Sequence, residues 1–230
     1  MKICDLLTLN NILKPGLLLK FMIKGIIFDF GSVIYKTNWE KMCEELFDKF
    51  GINVWMENMK NDKAVDLYKL GNIGKAKIDN FIKELNPKVD ITKEMVDFYK
   101  KMYIKHKIIN NELLKLVKEL KKKYILFAFT DIKKEHYESN LEFGIYNDFK
   151  EVYTSFKFNM LKSQDGAFDK LKKELLKHSL LPKECVFIDD HLPNIEQAKK
   201  SGFHTIHYEG FPNIENLEKD LMRILDNKDN

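Results

Sequence analysis

KGIIFDFGSV, residues 24–33, is the stretch on which the fold turns. Lys24 to Phe30 is a short, nearly continuous apolar run, the pattern of a strand buried on both faces of a parallel sheet. Gly31 and Ser32 break the run. Its one acid, Asp29, falls at the strand's carboxyl end, the side on which open α/β sheets bind their ligands.

Toward the C-terminus the same kind of run recurs between helical stretches. Leu113 to Leu120 is helical. Tyr124 to Phe129 (YILFAF) is a strand that ends in Thr130-Asp131. A helix reaches about Phe143 and Gly144, and Glu151 to Thr154 is a weaker strand. Residues 165–178 are helical, and Pro182 closes the next loop. Cys185 to Ile188 (CVFI) is a strand ending in Asp189-Asp190. A helix over Asn194 to Lys200 stops at Gly202. Phe203 to Tyr208 is the last strand, and 214–226 a terminal helix. This alternation predicts an α/β fold: a Rossmann-like parallel sheet covered by helices on both faces.

The segment after the first strand has a different period. Trp39, Met42, Cys43, Leu46, Phe47 and Phe50 lie on one face of a helix capped by Asn38 and stopped by Gly51. A second helix is expected from Met56 to Leu70, ending at Gly71. A third carries Ile78, Phe81, Ile82 and Leu85 and ends at Pro87. A fourth starts at Thr92 and carries Met95, Phe98, Tyr99 and Met102. Roughly 70 residues here are helical with no strand among them, as in an inserted cap.

Composition narrows the function. The chain has 230 residues, 44% hydrophobic and 32% charged, which excludes wholesale disorder. Net charge is +4, and the one arginine is Arg223, so the clustered guanidinium donors of a base-reading protein are missing. Cys4, Cys43 and Cys185 are widely spaced and odd in number, which points to neither a disulfide framework nor a zinc ribbon. A cytoplasmic, reducing location is expected. No apolar run reaches the roughly 18 residues of a spanning helix. Gly16 to Ile27 is interrupted by Lys20 and Lys24. Residues 1–21 read as an N-terminal extension ahead of Met22. Neither nucleic acid nor membrane is an expected partner.

A single aspartate at a strand end is usually a turn former or helix cap. Three such sites on one rim, at Asp29, at Thr130-Asp131 and at Asp189-Asp190, are a different matter. Clustered carboxylates repel one another and call for a cation. Their hard oxygens suit Mg²⁺. Thr130 and Lys162, the latter in a loop opening toward the rim, add a hydroxyl and a positive charge suited to a phosphate beside the metal. His191 could shuttle a proton but reads as a loop histidine. His136 reads as a helix-surface or packing residue. Tyr35, Trp39 and Tyr68 could face a substrate from the cap side, though their spacing is that of core residues.

In order and residue type, FDFGSV (28–33), FAFTD (127–131), Lys162 in NMLKSQDGAF (159–168) and VFIDDHLPN (186–194) resemble the motifs of the haloacid dehalogenase-like (HAD) hydrolase superfamily. The resemblance covers residues 22 to about 210. It extends to the C1-capped subfamily I and to the FDxGxV/DDxxxN branch, which holds sugar-phosphate phosphatases and the phosphatase-like domain joined to epoxide hydrolases. It implies a core of residues 22–36 and 108–230 and a helical cap of 37–107. It also implies a Mg²⁺-dependent phosphohydrolase acting on a small phosphorylated metabolite. Asp29 would be the nucleophile that becomes an aspartyl phosphate. The Gly31 carbonyl and Asp190 would hold Mg²⁺ with Asp29, and Asp189 would stand beside them. Thr130, Asp131 and Lys162 would bind the phosphoryl group, helped by backbone N–H groups after Asp29 and Thr130.

Two positions depart from the pattern. Phosphatases of this superfamily usually carry an acid–base aspartate two residues after the nucleophile, where this chain has Gly31. Losing that group costs on the order of 10²–10⁴ in rate. The loss matters least for weakly basic leaving groups, so a preference for anomeric, acyl or aryl phosphates is expected. Ser163 follows Lys162 where proline is common. Gly31 also keeps open a second class, a binding or regulatory module that turns over little. A metal-free 2-haloacid dehalogenase would share the nucleophile but would have no use for the acid pair. A receiver-type phosphoacceptor domain would carry its acid pair on the first strand, the opposite order.

Overall fold

The computed structural model describes residues 22–55 and 62–226. The expected N-terminal extension, Cys4 and the start of the helix expected from Met56 lie outside the described residues.

Five strands form one parallel sheet: β1 (Gly25–Phe28), β4 (Ile125–Thr130), β5 (Glu151–Thr154), β6 (Cys185–Asp189) and β7 (His204–His207), in spatial order β5-β4-β1-β6-β7. β1 lies at the centre. Ile26 pairs with Leu126 on one side and Val186 on the other, and Phe28 with Ala128 and Ile188. The strand period of two divides these residues between the two faces. Ile26, Phe28, Leu126, Ala128, Val186 and Ile188 enter one core, while Ile27, Phe127, Phe129, Cys185 and Phe187 enter the other. Helices cover both. α5 (Asn111–Leu120) and α10 (Glu215–Leu225) bury Leu113, Val117, Leu217 and Leu221 on the first face. α8 (Ala167–Leu176) and α9 (Leu192–Lys200) bury Phe168, Leu171, Ile195 and Ala198 on the second. The predicted α/β class and its doubly covered parallel sheet are therefore present.

The helical insertion is also present: α1 (Trp39–Phe50), α2 (Asp62–Asn72), α3 (Ile78–Leu85) and α4 (Lys93–Lys105). α1 starts where Asn38 accepts a hydrogen bond from Lys41 N and ends at Gly51, whose φ of 67° only a residue without Cβ adopts freely. Thr92 caps α4 in the same manner, accepting from Met95 N.

Two features differ from the sequence expectation. First, α2 does not stop at Gly71 but runs through it to Asn72. Gly71 serves close approach instead, because a Cβ there would meet the Lys133 side chain at 3.2 Å. Second, the insertion is entered and left through a short antiparallel ribbon, β2 (Tyr35–Thr37) with β3 (Lys107–Ile109), within which both expected domain junctions fall. Three residues per strand are too few to show a period.

After β4 comes α6 (Lys134–Phe143), and after β5 a single helical turn, α7 (Ser155–Phe158). No helix among the described residues is long and apolar enough to cross a membrane.

Candidate active site

β1, β4 and β6 are adjacent and parallel, so their carboxyl ends reach one rim together. Asp29 follows β1, with its backbone N–H donating to Ile188 O at 2.8 Å, which ties it to the end of β6. Thr130 and Asp189 are the last residues of β4 and β6. Lys162 comes from the segment between α7 and α8. Its ammonium lies 2.6 Å from Asp29 Oδ1 and 2.6 Å from Asp189 Oδ2. All three side chains are buried. A buried carboxylate is costly without a partner, and this lysine serves two.

Asp189 is fully engaged. Its Oδ1 accepts from His191 N at 2.8 Å and Asn194 Nδ2 at 3.1 Å, and its Oδ2 from Lys162 Nζ and Asn194 Nδ2. Asp190 is half-buried; Ser32 hydrogen-bonds its carboxylate, and His207 Nε2 meets its backbone oxygen at 2.9 Å. Ser32 has φ 58°, a conformation uncommon outside glycine, in the loop that follows Asp29.

Electrostatics follow from this crowding. Burial above all, with Asp189 and Asp190 adding to it, pushes the Asp29 carboxyl up to about 8 against the pull of Lys162. Burial works to lower the pKa of Lys162, but Asp189, Asp29 and Asp131 together outweigh it, so the ammonium is held above its usual range. Asp190 is raised by burial and then by Asp189. One oxygen each from Asp29, Asp189 and Asp190 lie within 4.8 Å of one another. A hard, all-oxygen donor set of this kind suits a divalent cation, and such a charge would relieve the raised Asp29.

The rim opens into two adjoining cavities. One, of about 260 Å³, is the acid cleft, lined by Asp29, Lys162, Asp190, His191 and Asn194 among others. The second, of about 320 Å³, lies toward the insertion and is lined by Tyr35, Trp39, Tyr68, Asn72, Tyr103 and His136 among others. Gly31, Ser32, Thr130 and Asp131 form the shared wall. A larger cavity, about 790 Å³, runs along edge strand β5 and contains none of the expected site residues.

The expected residues thus meet. Asp29, Gly31, Thr130, Asp131, Lys162 and Asp190 line the cleft, and Asp189 supports it from beneath. Asp131 accepts the Lys162 backbone N–H, at 3.0 Å to Oδ1 and 3.3 Å to Oδ2, and so fixes the lysine's loop. Of the backbone N–H groups expected to assist, Ser32 N donates to Tyr35 O and Ile132 N to Ser155 Oγ. Tyr35, Trp39 and Tyr68 line the second cavity. His136 is buried between Tyr99 and Tyr103 with one edge on that cavity. Sequence reasoning gave no role to Ser32 or Asn194. Asn194 had a signal, its place four residues after Asp190 in VFIDDHLPN; Ser32 had none.

The model of the haloacid dehalogenase-like hydrolases matches residues 23–202. The chain belongs to this family. Solved structures agree in fold. A HAD family enzyme from Bacteroides thetaiotaomicron superposes with a TM-score of 0.68 at 21% identity, covering 82% of this chain and 95% of that one. The same enzyme in complex with magnesium and inorganic phosphate gives 0.67 at 21% identity, covering 85% and 98%. A predicted HAD-like family hydrolase from Porphyromonas gingivalis gives 0.67 at 24% identity, covering 88% and 98%. A 2-haloacid dehalogenase from Pseudomonas syringae pv. tomato gives 0.60 at 14% identity, covering 88% and 100%. No curated protein matches the sequence. HAD-like hydrolases thus share with this chain the sheet whose rim gathers these acids.

Proposed function

We infer that the protein is a Mg²⁺-dependent phosphohydrolase, acting on a small phosphorylated metabolite through an aspartyl phosphate on Asp29. The observation that carries this reading is Lys162 Nζ held 2.6 Å from both Asp29 and Asp189, with Asp190 beside them. A nucleophilic carboxylate next to a fixed cation and a hard-oxygen pair is what phosphoryl transfer requires. The magnesium and phosphate of the Bacteroides enzyme support it. The helical insertion, FDFGSV and VFIDDHLPN favour the C1-capped subfamily and its FDxGxV/DDxxxN branch, with residues 37–107 as the cap and 22–36 with 108–230 as the core.

In this reading Asp29, Asp190 and the Gly31 carbonyl hold Mg²⁺, while Asp189 orients Lys162. The cation, when bound, offsets the negative charge of the phosphoryl group and of the clustered acids. Thr130 and Lys162 bind phosphoryl oxygens. An Asp29 oxygen attacks phosphorus from the acid cleft, and the leaving group lies in the adjoining cavity. About 320 Å³ is near the low end for ligand sites, in keeping with a small leaving group.

The test is hydrolysis of p-nitrophenyl phosphate with and without Mg²⁺, against Asp29→Asn. Activity is expected only for wild type with the cation. Equal rates for wild type and variant would overturn the reading. They would favour a binding or regulatory module of the same fold, the alternative to which Gly31 lends weight. The dehalogenase reading makes a different demand, halide release from a 2-haloacid without added cation.

A further inference from the structure

The acid that the phosphatase pattern places two residues after the nucleophile is absent, and nothing else in the loop Gly31-Ser32 titrates near neutrality. The two cavities nevertheless share a wall, and the leaving oxygen of a phosphoester spanning them must lie against it. That wall is Gly31, Ser32, Thr130 and Asp131, and only Asp131 among these carries an acid–base group. We propose that Asp131 is the general acid–base of this site, delivering a proton to the leaving group and recovering it from the water that follows. This inference rests on the phosphohydrolase reading above.

The geometry leaves the group able to do this. Among the described residues, Asp131 is anchored by a single donor, the Lys162 backbone N–H. One carboxyl oxygen can accept that bond while the other carries a proton toward the cavities, where the side chain remains partly exposed. Burial first, then Asp189, raises its pKa, opposed by Lys162 and His191. A bound phosphate dianion adds to the raising side.

The chemistry balances. An Asp29 oxygen forms a bond to phosphorus as the bond to the leaving oxygen breaks. The leaving oxygen keeps that electron pair and takes the Asp131 proton, giving the alcohol. Asp131, now a carboxylate, takes a proton from water as the water oxygen attacks phosphorus. The Asp29–phosphorus bond breaks, inorganic phosphate leaves, and Asp131 is again protonated. The net reaction is phosphomonoester plus water to alcohol plus phosphate. The preference for weakly basic leaving groups expected of an acid-free site is then not needed.

The experiment is a leaving-group series, from acyl and aryl to simple alkyl phosphates, run with Mg²⁺ on wild type, Asp29→Asn, Asp131→Asn and the double variant Gly31→Asp/Asp131→Asn. Asparagine keeps an acceptor for Lys162 N, so a role limited to fixing that loop is retained. The double variant moves the acid back to position 31. There the nearest atom to a built Cβ is Asp29 Oδ2 at 4.0 Å, so a side chain has room. With Asp131 as the acid, wild-type rates vary little across the series. The Asp131→Asn deficit grows with leaving-group basicity, to about 10²-fold or more on alkyl phosphates, and the double variant recovers much of it. A wild-type rate that falls steeply toward alkyl esters, or an Asp131→Asn deficit equal for all leaving groups, overturns the proposal while the phosphohydrolase reading stands. Wild type no faster than Asp29→Asn on every ester overturns both.

Discussion

Lys162 is the residue on which the site is most sensitive, because its one ammonium serves two buried carboxylates. Replacing it by methionine keeps the stem's packing and removes the charge. The loss of a fixed cation at a developing anion costs about 10²–10³ in rate, and leaving buried charges unpartnered costs about 3–5 kcal/mol of stability. The stability cost has a pH signature. Without Lys162, whose pull opposes the effect of burial, the Asp29 carboxyl binds its proton still more tightly in the folded chain. The stability this raised group carries is intact at low pH and in wild type is lost as pH rises through about 8, whereas in the variant the loss continues to higher pH. Urea denaturation should show a larger Lys162→Met deficit at pH 9.5 than at pH 6, and a pH-independent deficit would count against the charge argument. Much of this site was legible beforehand. Asp29, Thr130 and Asp189-Asp190 stand directly after apolar runs, where a parallel sheet must present them. Lys162 follows no strand and was found through the order of motifs. The bonds from Ser32 to Asp190 and from Asn194 to Asp189 depend on loop geometry within hydrogen-bonding distance, which residue spacing does not encode.

Among the elements, helices with a repeating apolar face and strands that follow the alternation of the sheet were readable, and the short pieces outside both patterns were not. α1, α3, α4 and α5 repeat apolar residues along one face, whereas β2 and β3 have three residues each and α7 has four. Gly71 misled for a related reason, since a glycine that admits a neighbour looks the same in sequence as one that ends a helix. The neighbour is Lys133, the buried residue just before α6, which sits over the Tyr68 ring and donates to Asn72 Oδ1 at 3.1 Å, joining α6 to α2. His136 on α6 makes the second such join. Its ring stacks on Tyr103 at 3.9 Å, and its Nε2 lies 3.0 Å from Tyr99 Oη. Burial first, then Lys133 and Lys107, hold it well below the usual histidine range, so the folded chain keeps it neutral. The unfolded chain protonates it near pH 6.5. The stability this residue contributes is therefore complete above that pH and is lost below it, by up to about 1.4 kcal/mol per pH unit. In His136→Gln that loss is absent. The gap between wild type and variant, measured by denaturant unfolding, should narrow from pH 7 to pH 5; a constant gap would mean that His136 titrates alike in both states.

At the scale of the molecule, the insertion and the sheet share one core. The same apolar cluster runs from Ile26, Phe28 and Phe30 beneath the sheet, through Tyr35, to Met42, Phe81, Tyr99 and Tyr103 in the insertion. Phe30 and Tyr35 pack edge to face, as do Tyr35 and Tyr103, whose hydroxyls also meet at 2.7 Å, so ring contacts run on from core to insertion. A domain with its own core can melt alone, whereas one that borrows its core cannot, because exposing the shared surface destabilises both halves. The sequence provides a built-in probe. Its two tryptophans, Trp39 and Trp55, both belong to the insertion and pack against this cluster, while far-ultraviolet circular dichroism reports the helices of the whole chain. Urea titrations followed by the two signals should coincide in midpoint and slope, as for a single two-state transition. A tryptophan transition at lower urea than the helical one would show the insertion unfolding by itself. The continuity of the core from Phe30 to Tyr103 would then contribute little to its stability. With one transition, by contrast, the cavity toward the insertion is as stable as the rim that holds Asp29, because Tyr35 belongs to both the core and the wall of that cavity.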